Sequence, residues 1–137
     1  MELTIAGINW WAVGACVITG QILSTLWFTV LFGETWAREY GAESRQQHTK
    51  DIPGYTYGIQ LICTVLMVIT LAVLQNSLGT SSPAEGLLLG AIVAIGLAAA
   101  SILPGQAFLR RWRVAGLTAG CQVSMILVAS VILSQWK

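Results

Sequence analysis

Four long stretches of the sequence contain no Asp, Glu, Lys, Arg or His, and they limit the fold more than any other feature. They cover residues 3–33, 52–84, 86–109 and 114–136. Each exceeds the ~20 residues that a helix needs to cross ~30 Å of hydrocarbon. Hydrophobic residues make up 55% of the chain and charged residues only 9%, so the sequence belongs to the membrane class.

Only helices and closed barrels satisfy every backbone group in lipid, and these stretches lack the alternation of barrel strands. The sequence therefore predicts one all-α domain over residues 1–137. We expect a polytopic membrane four-helix bundle of two helical hairpins, with a short interfacial helix after the first spanning helix. The predicted spans are residues 8–32, 55–75, 83–103 and 112–135.

Local signals place several helix ends. Ser82, Pro83 and Glu85 form the pattern of a capping box with proline at the first helical position. The polar turn at residues 76–82 predicts a tight hairpin between the second and third spanning helices. Pro104 lacks a backbone donor, so we expect it to end the third helix.

The first loop is the only sizeable polar segment. Its start, residues 34–40, predicts a short helix in the membrane interface with Trp36, Ala37 and Tyr40 turned toward lipid. Gly41 would end this helix, and residues 46–51 would form a solvated strip. The loop is too short for an enzyme domain and contains no recognisable catalytic motif.

Basic residues predict the orientation, because short loops rich in Lys and Arg stay on the cytoplasmic side. The first and third loops together carry six Lys and Arg residues, whereas the side of the membrane that holds the termini and the second loop carries only Lys137. Both termini should therefore face away from the cytoplasm. Tryptophans at the expected interface levels agree with this topology. The predicted topology residues are Arg38, Arg45, Lys50, Arg110, Arg111 and Arg113, and the predicted interface anchors are Trp10, Trp11, Trp36, Trp112 and Trp136.

Two blocks of the sequence resemble a known family. The first block contains Ile8-Asn9-Trp10, Leu26-Trp27-Phe28 and Leu31-Phe32-Gly33, with Trp36 shortly after; the second contains Ala84-Glu85-Gly86-Leu87-Leu88-Leu89-Gly90 and leads to a last helix ending at Trp136. These blocks resemble the small bacterial membrane proteins of the domain of unknown function 1761 family, over nearly the whole chain. The resemblance implies a four-helix membrane domain of a bacterial inner membrane. It implies no activity, and the second spanning helix and residues 41–51 match in hydropathy alone.

The spans offer few groups for chemistry. Ionisable residues within a membrane usually mark ion paths or proton relays, and the predicted spans have none at their cores. Cys16, Cys63, Cys121 and His48 should lie at different depths, so a metal site is not expected. No intrinsic cofactor is expected either, because the predicted spans contain no histidine and a haem usually needs a His, Met or Cys axial ligand.

Three glutamines, Gln21, Gln60 and Gln122, could converge as a polar cluster. Such a cluster could hydrogen-bond a lipid, a quinone or a pigment. It could also connect the helices to one another, which we favour because these pairs need no ligand.

Small residues recur every four positions on two helices, where they let helix backbones approach closely. We expect the two stripes to face each other within a hairpin; the alternative is a docking surface for another protein. The predicted packing residues are Gly86, Gly90 and Ala94 on the third spanning helix, and Gly116, Gly120 and Ser124 on the fourth.

These features favour a non-catalytic accessory subunit that packs against a larger membrane complex of the respiratory or photosynthetic type. Expected partners are membrane lipids and other integral membrane subunits or a second copy, and nucleic acid is excluded by a net charge of +1 with no basic face. The alternative is a small homo-oligomeric transporter or channel for a neutral solute, lined by the three glutamines. A membrane enzyme acting on lipids is the weakest hypothesis, because no nucleophile, base or metal site can be nominated.

Overall fold

The computed structural model describes residues 2–136, so Met1 and Lys137, with its predicted role in orientation, lie outside the described residues. Four helices are long and apolar enough to cross a membrane, and two short helices connect the first of them to the second. We label the six helices in chain order: α1 Trp10–Leu31, α2 Gly33–Glu39, α3 Arg45–Asp51, α4 Gly54–Leu78, α5 Pro83–Phe108 and α6 Trp112–Gln135.

Side-chain caps fix three helix starts. The side chain of Asn9 accepts from the backbone amides of Trp11 and Ala12, at the start of α1. Ser44 and Ser82 cap α3 and α5 in the same way, since each hydroxyl accepts from an amide three residues later. Each cap satisfies a donor that has no partner within its helix.

The predicted turn between α4 and α5 is tight. Gly79 ends α4 with a φ of +65°, a left-handed conformation that glycine adopts without steric cost. The carboxylate of Glu85 accepts from the backbone amide of Ser81, while Ser82 accepts from the amide of Glu85, so a variant of the predicted capping box is present.

The last helix, α6, is the centre of the bundle. It packs along α5 and also contacts α1 and α4, which pack against each other. The buried core therefore lies around α6, where Val68, Leu71, Ala94, Ile126 and Ala129 meet. Although α4 and α5 are joined by a short turn, they touch little, and α5 pairs instead with α6.

One expectation about helix extent was wrong, and one was incomplete. Helix α5 does not end at Pro104 but continues to Phe108, after a wide π-type turn at Ala94–Ala99. Pro104 leaves the carbonyl of Ala100 without its usual donor, and π-type widening of a turn is one way in which membrane helices accommodate proline. Residues 46–51 are largely exposed, as predicted, but they belong to a short helix that Ser44 caps.

The bundle has two distinct ends, which we call the tail end, where the N-terminal segment and the end of α6 lie, and the loop end, where α2 and α3 lie. At the tail end, the amide side chain of Asn76 donates to the carbonyls of Thr4 and Ala6, which holds the N-terminal segment against the end of α4. At the loop end, α2 and α3 pack on each other and α2 contacts α6. The start of α1 and the end of α6 both lie at the tail end, as an even number of spans requires.

Candidate functional site: the central helix and its exposed neighbours

Backbone carbonyls of α6 accept hydrogen bonds from two neighbouring helices. The indole Nε1 of Trp27 on α1 donates to the carbonyl of Leu117 over 3.0 Å. The amide Nε2 of Gln75 on α4 donates to the carbonyl of Ser130, also over 3.0 Å. A carbonyl has two lone pairs, so it can accept such a bond beside its helical one. These bonds fix the register of α1 and α4 on the central helix.

The small-residue stripe of α5 lies against α6, as the spacing predicted. A methyl group added to Gly86 would lie 2.5 Å from the Cβ of Ser134, and one added to Gly90 would overlap the hydroxyl of Ser130. Ala94, the third member of the stripe, is fully buried. The stripe therefore allows a backbone approach that larger residues would prevent.

The partner stripe on α6 was assigned wrongly. The stripe of α5 faces Ser130 and Ser134 near the tail end, because the two helices run antiparallel. Gly116 has open space at its Cβ position, and a Cβ on Gly120 would lie 3.1 Å from the indole of Trp27 on α1. The hydroxyl of Ser124 donates to the carbonyl of Gly120 within α6. Gly120 is thus a packing residue, but toward α1.

Two of the three glutamines come together. The Nε2 of Gln21 donates to the hydroxyl of Thr64 over 3.0 Å, and Nε2 of Gln60 lies 3.5 Å from the same oxygen. Thr64 is buried where α1 and α4 cross, and its hydroxyl donates to the carbonyl of Gln60. Gln122 makes no hydrogen bond to this pair, so the cluster is built from two helices and centred on a threonine.

Gln75 is an interhelical residue that the sequence reasoning missed, because it stood at the predicted end of its helix. Its side chain is only 3% exposed, and its Oε1 has no hydrogen-bond partner in the described part of the chain. Gln75 also lines a small cavity of about 70 Å³ at the tail end, together with Asn9, Asn76 and Trp136. Only the longer extent of α4, to Leu78, places Gln75 inside the bundle.

The thiols and carboxylates of the described residues do not cluster. Within residues 2–136, no group of three or more His, Cys, Asp or Glu side chains could hold a metal ion. Cys16 and Cys121 are buried in the bundle, whereas Cys63 is exposed on α4.

An aromatic cluster closes the loop end. The imidazole of His48 stacks on Tyr40 at 5.1 Å and meets the edge of Trp36 at 4.4 Å, and Phe28 lies 5.0 Å from Trp36. Ala37 is fully buried, so the expectation that it faces lipid was wrong. Trp36 packs within this cluster, while Trp10, Trp11, Trp112 and Trp136 are exposed as interface anchors would be.

Three of the six predicted topology cations, Arg45, Arg111 and Arg113, have specific side-chain contacts. Arg111 lies over the ring of Tyr40, and Arg113 pairs with Glu39 over 3.6 Å, so the start of α6 is tied to α2. The backbone of Arg110 has a φ of +56°, which is unfavourable for any residue other than glycine.

Arg45 reaches back from α3 to the end of α1. Its Nη1 donates to the carbonyl of Thr29 over 2.7 Å, where the last turn of α1 is wide and the helix dipole is negative. A Cβ on Gly33 would lie 2.6 Å from the Cδ of Arg45, so glycine leaves room for the arginine stem. Arg45 therefore has a structural contact in addition to its predicted role in topology.

The loop-end part of α4 has almost no neighbours. Every residue from 53 to 59 is exposed, including Tyr55 at 72% and Tyr57 at 55%. Gly54 and Gly58, four residues apart, have open space at their Cβ positions. Burial on α4 begins only at Thr64, so about two turns of an apolar helix are uncovered around their whole circumference.

Comparison with known proteins gave one match. The model of the family described as "Protein of unknown function (DUF1761)" matches residues 11–134. No curated protein and no solved structure matches the chain.

Proposed function

Since the chain belongs to the DUF1761 family, which is of unknown function, no role comes with its membership, and we propose that this protein is a non-catalytic integral membrane accessory subunit. In this proposal it packs against a larger membrane complex of the respiratory or photosynthetic type. It stabilises that complex or organises the lipid, quinone or pigment around it, without an intrinsic cofactor of its own.

The uncovered part of α4 carries the proposal. A spanning helix gains no hydrophobic energy from leaving lipid, so helix association depends on close packing and hydrogen bonds. Gly54 and Gly58 offer a surface for close backbone approach, and Tyr55 and Tyr57 flank it with aromatic rings. The rest of the bundle does not use this surface. We infer that a helix of another subunit covers it.

The chemistry of the spans supports a packing role. Charged side chains occur on the four spanning helices only near their ends, at Glu85 and Arg113. The polar groups within the spans, such as Gln21, Gln75 and Thr64, bond to other helices of the same chain. These bonds give Gln21, Thr64 and the amide nitrogen of Gln75 partners within the chain, so none of the three requires a substrate.

The predicted orientation belongs to this proposal. In a bacterial inner membrane, the cations of the loop end would face the cytoplasm and both termini the opposite side. The uncovered segment of α4 would then meet its partner in the cytoplasmic half of the membrane.

Gentle extraction tests the proposal. We expect the protein in a mild detergent to migrate with other integral subunits, which mass spectrometry would identify. We also expect a lipid-soluble maleimide to label a cysteine placed at position 58 (Gly58→Cys) in the isolated protein but less in native membranes, because position 58 lies within the uncovered segment. Migration alone, with equal labelling in both states, would refute the accessory role.

A further inference from the structure

A groove at the loop end has the charge and position of a phospholipid site. It lies between the last turns of α1 and the face of α3, and its volume is about 570 Å³. The lining residues are Thr29, Val30, Arg45, Gln46, Thr49 and Lys50. We propose that this groove binds the phosphate of one anionic phospholipid, whose acyl chain lies along the exposed end of α1. The inference rests on the lipid-organising part of the proposed function.

The groove is locally basic although its loop is not. Residues 33–53 contain four carboxylates and three cations, so the loop as a whole would not attract an anionic membrane surface. Two of those cations, Arg45 and Lys50, line the groove, and none of the carboxylates does. Glu34, Glu43 and Asp51, the acids nearest in sequence, lie outside its lining. Any preference for an anionic lipid should therefore depend on these two cations.

One of the two cations is held in place. The hydrogen bond from Arg45 Nη1 to the carbonyl of Thr29 uses one of five guanidinium donors. The bond fixes the planar group at the groove wall, which lowers the conformational entropy lost when a phosphate binds. Lys50 makes no such contact and can move to the phosphate.

The apolar wall of the groove and its position across the membrane fit a lipid. Val30 lines the groove and is 68% exposed, and Leu26, one turn deeper into the membrane on the same face of α1, is 45% exposed. Because Leu31 ends a spanning helix, these residues lie near the boundary between acyl chains and head groups. A free phosphate in water would have no use for this apolar wall, so a phospholipid is the favoured occupant.

The test compares lipids of the same acyl chains on the isolated protein. The purified full chain is equilibrated with mixed micelles of phosphatidylglycerol and phosphatidylcholine, and bound lipids are counted by native mass spectrometry. We expect a preference for phosphatidylglycerol that Lys50→Gln lowers about fivefold, the usual effect of one basic side chain at an anionic surface. Arg38→Gln is the matched control, because it removes one cation of the same loop outside the groove.

The control decides between a site and diffuse attraction. The assignment is wrong if the native protein shows no preference for phosphatidylglycerol, or if Arg38→Gln lowers the preference as much as Lys50→Gln. Lys50 is exposed, so its replacement should leave the thermal stability in phosphatidylcholine unchanged. No partner subunit is present in this measurement, so its failure would leave the docking role of α4 untouched.

Discussion

The indole nitrogen of Trp27 lies 3.0 Å from the carbonyl oxygen of Leu117 and donates a hydrogen bond to it across the interface of α1 and α6. The same indole ring packs over Gly120, whose Cβ position is only 3.1 Å from it. The two contacts depend on each other, since a larger residue at position 120 would move the ring away from Leu117. A tryptophan and a glycine 93 positions apart thus fix one helix pair.

Loss of the indole donor should lower stability modestly. We expect Trp27→Phe to reduce the free energy of unfolding by about 0.6–2 kcal/mol, the range measured for interhelical hydrogen bonds in membranes. Gly120→Val should cost at least as much, because it displaces the ring. Gly116→Val is the matched control, since its Cβ position is open. Unfolding in mixed micelles by added SDS measures these changes, and equal effects at positions 116 and 120 would contradict this packing.

The approach of α5 to α6 should be sensitive to a single methyl group. We expect Gly90→Ala to destabilise the bundle by about 1–3 kcal/mol, because the added Cβ overlaps the side chain of Ser130. Replacing Ser130 with glycine in the same chain should recover part of the loss. Gly96→Ala, on an open face of α5, should be neutral or slightly stabilising. If Gly90→Ala behaves like Gly96→Ala in the SDS titration, the close approach is absent.

The glutamines should differ in their contribution to stability. Gln21→Leu removes a donor to the buried hydroxyl of Thr64 and should cost about 0.6 kcal/mol or more. Gln122→Leu should change the stability little, since Gln122 bonds to neither of the other two glutamines.

The same variants address the transporter alternative. If vesicles containing the native protein conduct a neutral solute, and Gln122→Leu abolishes the flux, the glutamines line a pathway and the packing interpretation fails.

A strained turn offers a stabilising substitution. Arg110 has a φ of +56°, which costs an L-residue ~1–2 kcal/mol relative to its preferred conformations. We therefore expect Arg110→Gly to raise the free energy of unfolding by about 1 kcal/mol. Arg111→Gly is the control, because Arg111 has a φ of −100° and its guanidinium lies over Tyr40. Stabilisation by both changes, or by neither, would argue against this turn geometry.

The sequence predicted the spans well because charge-free runs of membrane length are unambiguous. It did not predict the place of α6 at the centre, since all four helices are apolar on every side. Without an aqueous phase to select a buried face, hydropathy does not distinguish Ser130, which faces Gly90, from a residue in lipid. The α5 stripe was found from its spacing alone, but its partner depended on the antiparallel register.

Sequence rules that describe helices in water predicted the wrong end for α5 at Pro104. In a soluble helix, proline usually ends or kinks the helix, but the wide turn at Ala94–Ala99 lets α5 continue. Gln75 was missed for a related reason, because a polar residue near a predicted helix end is normally assigned to the interface. Gln21 and Gln60 were predicted to converge, together with Gln122, whereas the sequence did not single out Thr64 as the residue between them.

The most direct test of the accessory role is whether Gly58→Leu changes the set of subunits that co-purify with the protein from its native membrane. A leucine at this open position should leave the isolated bundle intact but block close approach of a partner helix to α4. We expect Gly58→Leu to lose the subunits that co-purify with the native protein in mild detergent, while Gly96→Leu, equally open on α5, retains them. A Gly58→Leu protein that keeps the same partners, or a native protein that has none, would contradict the proposal.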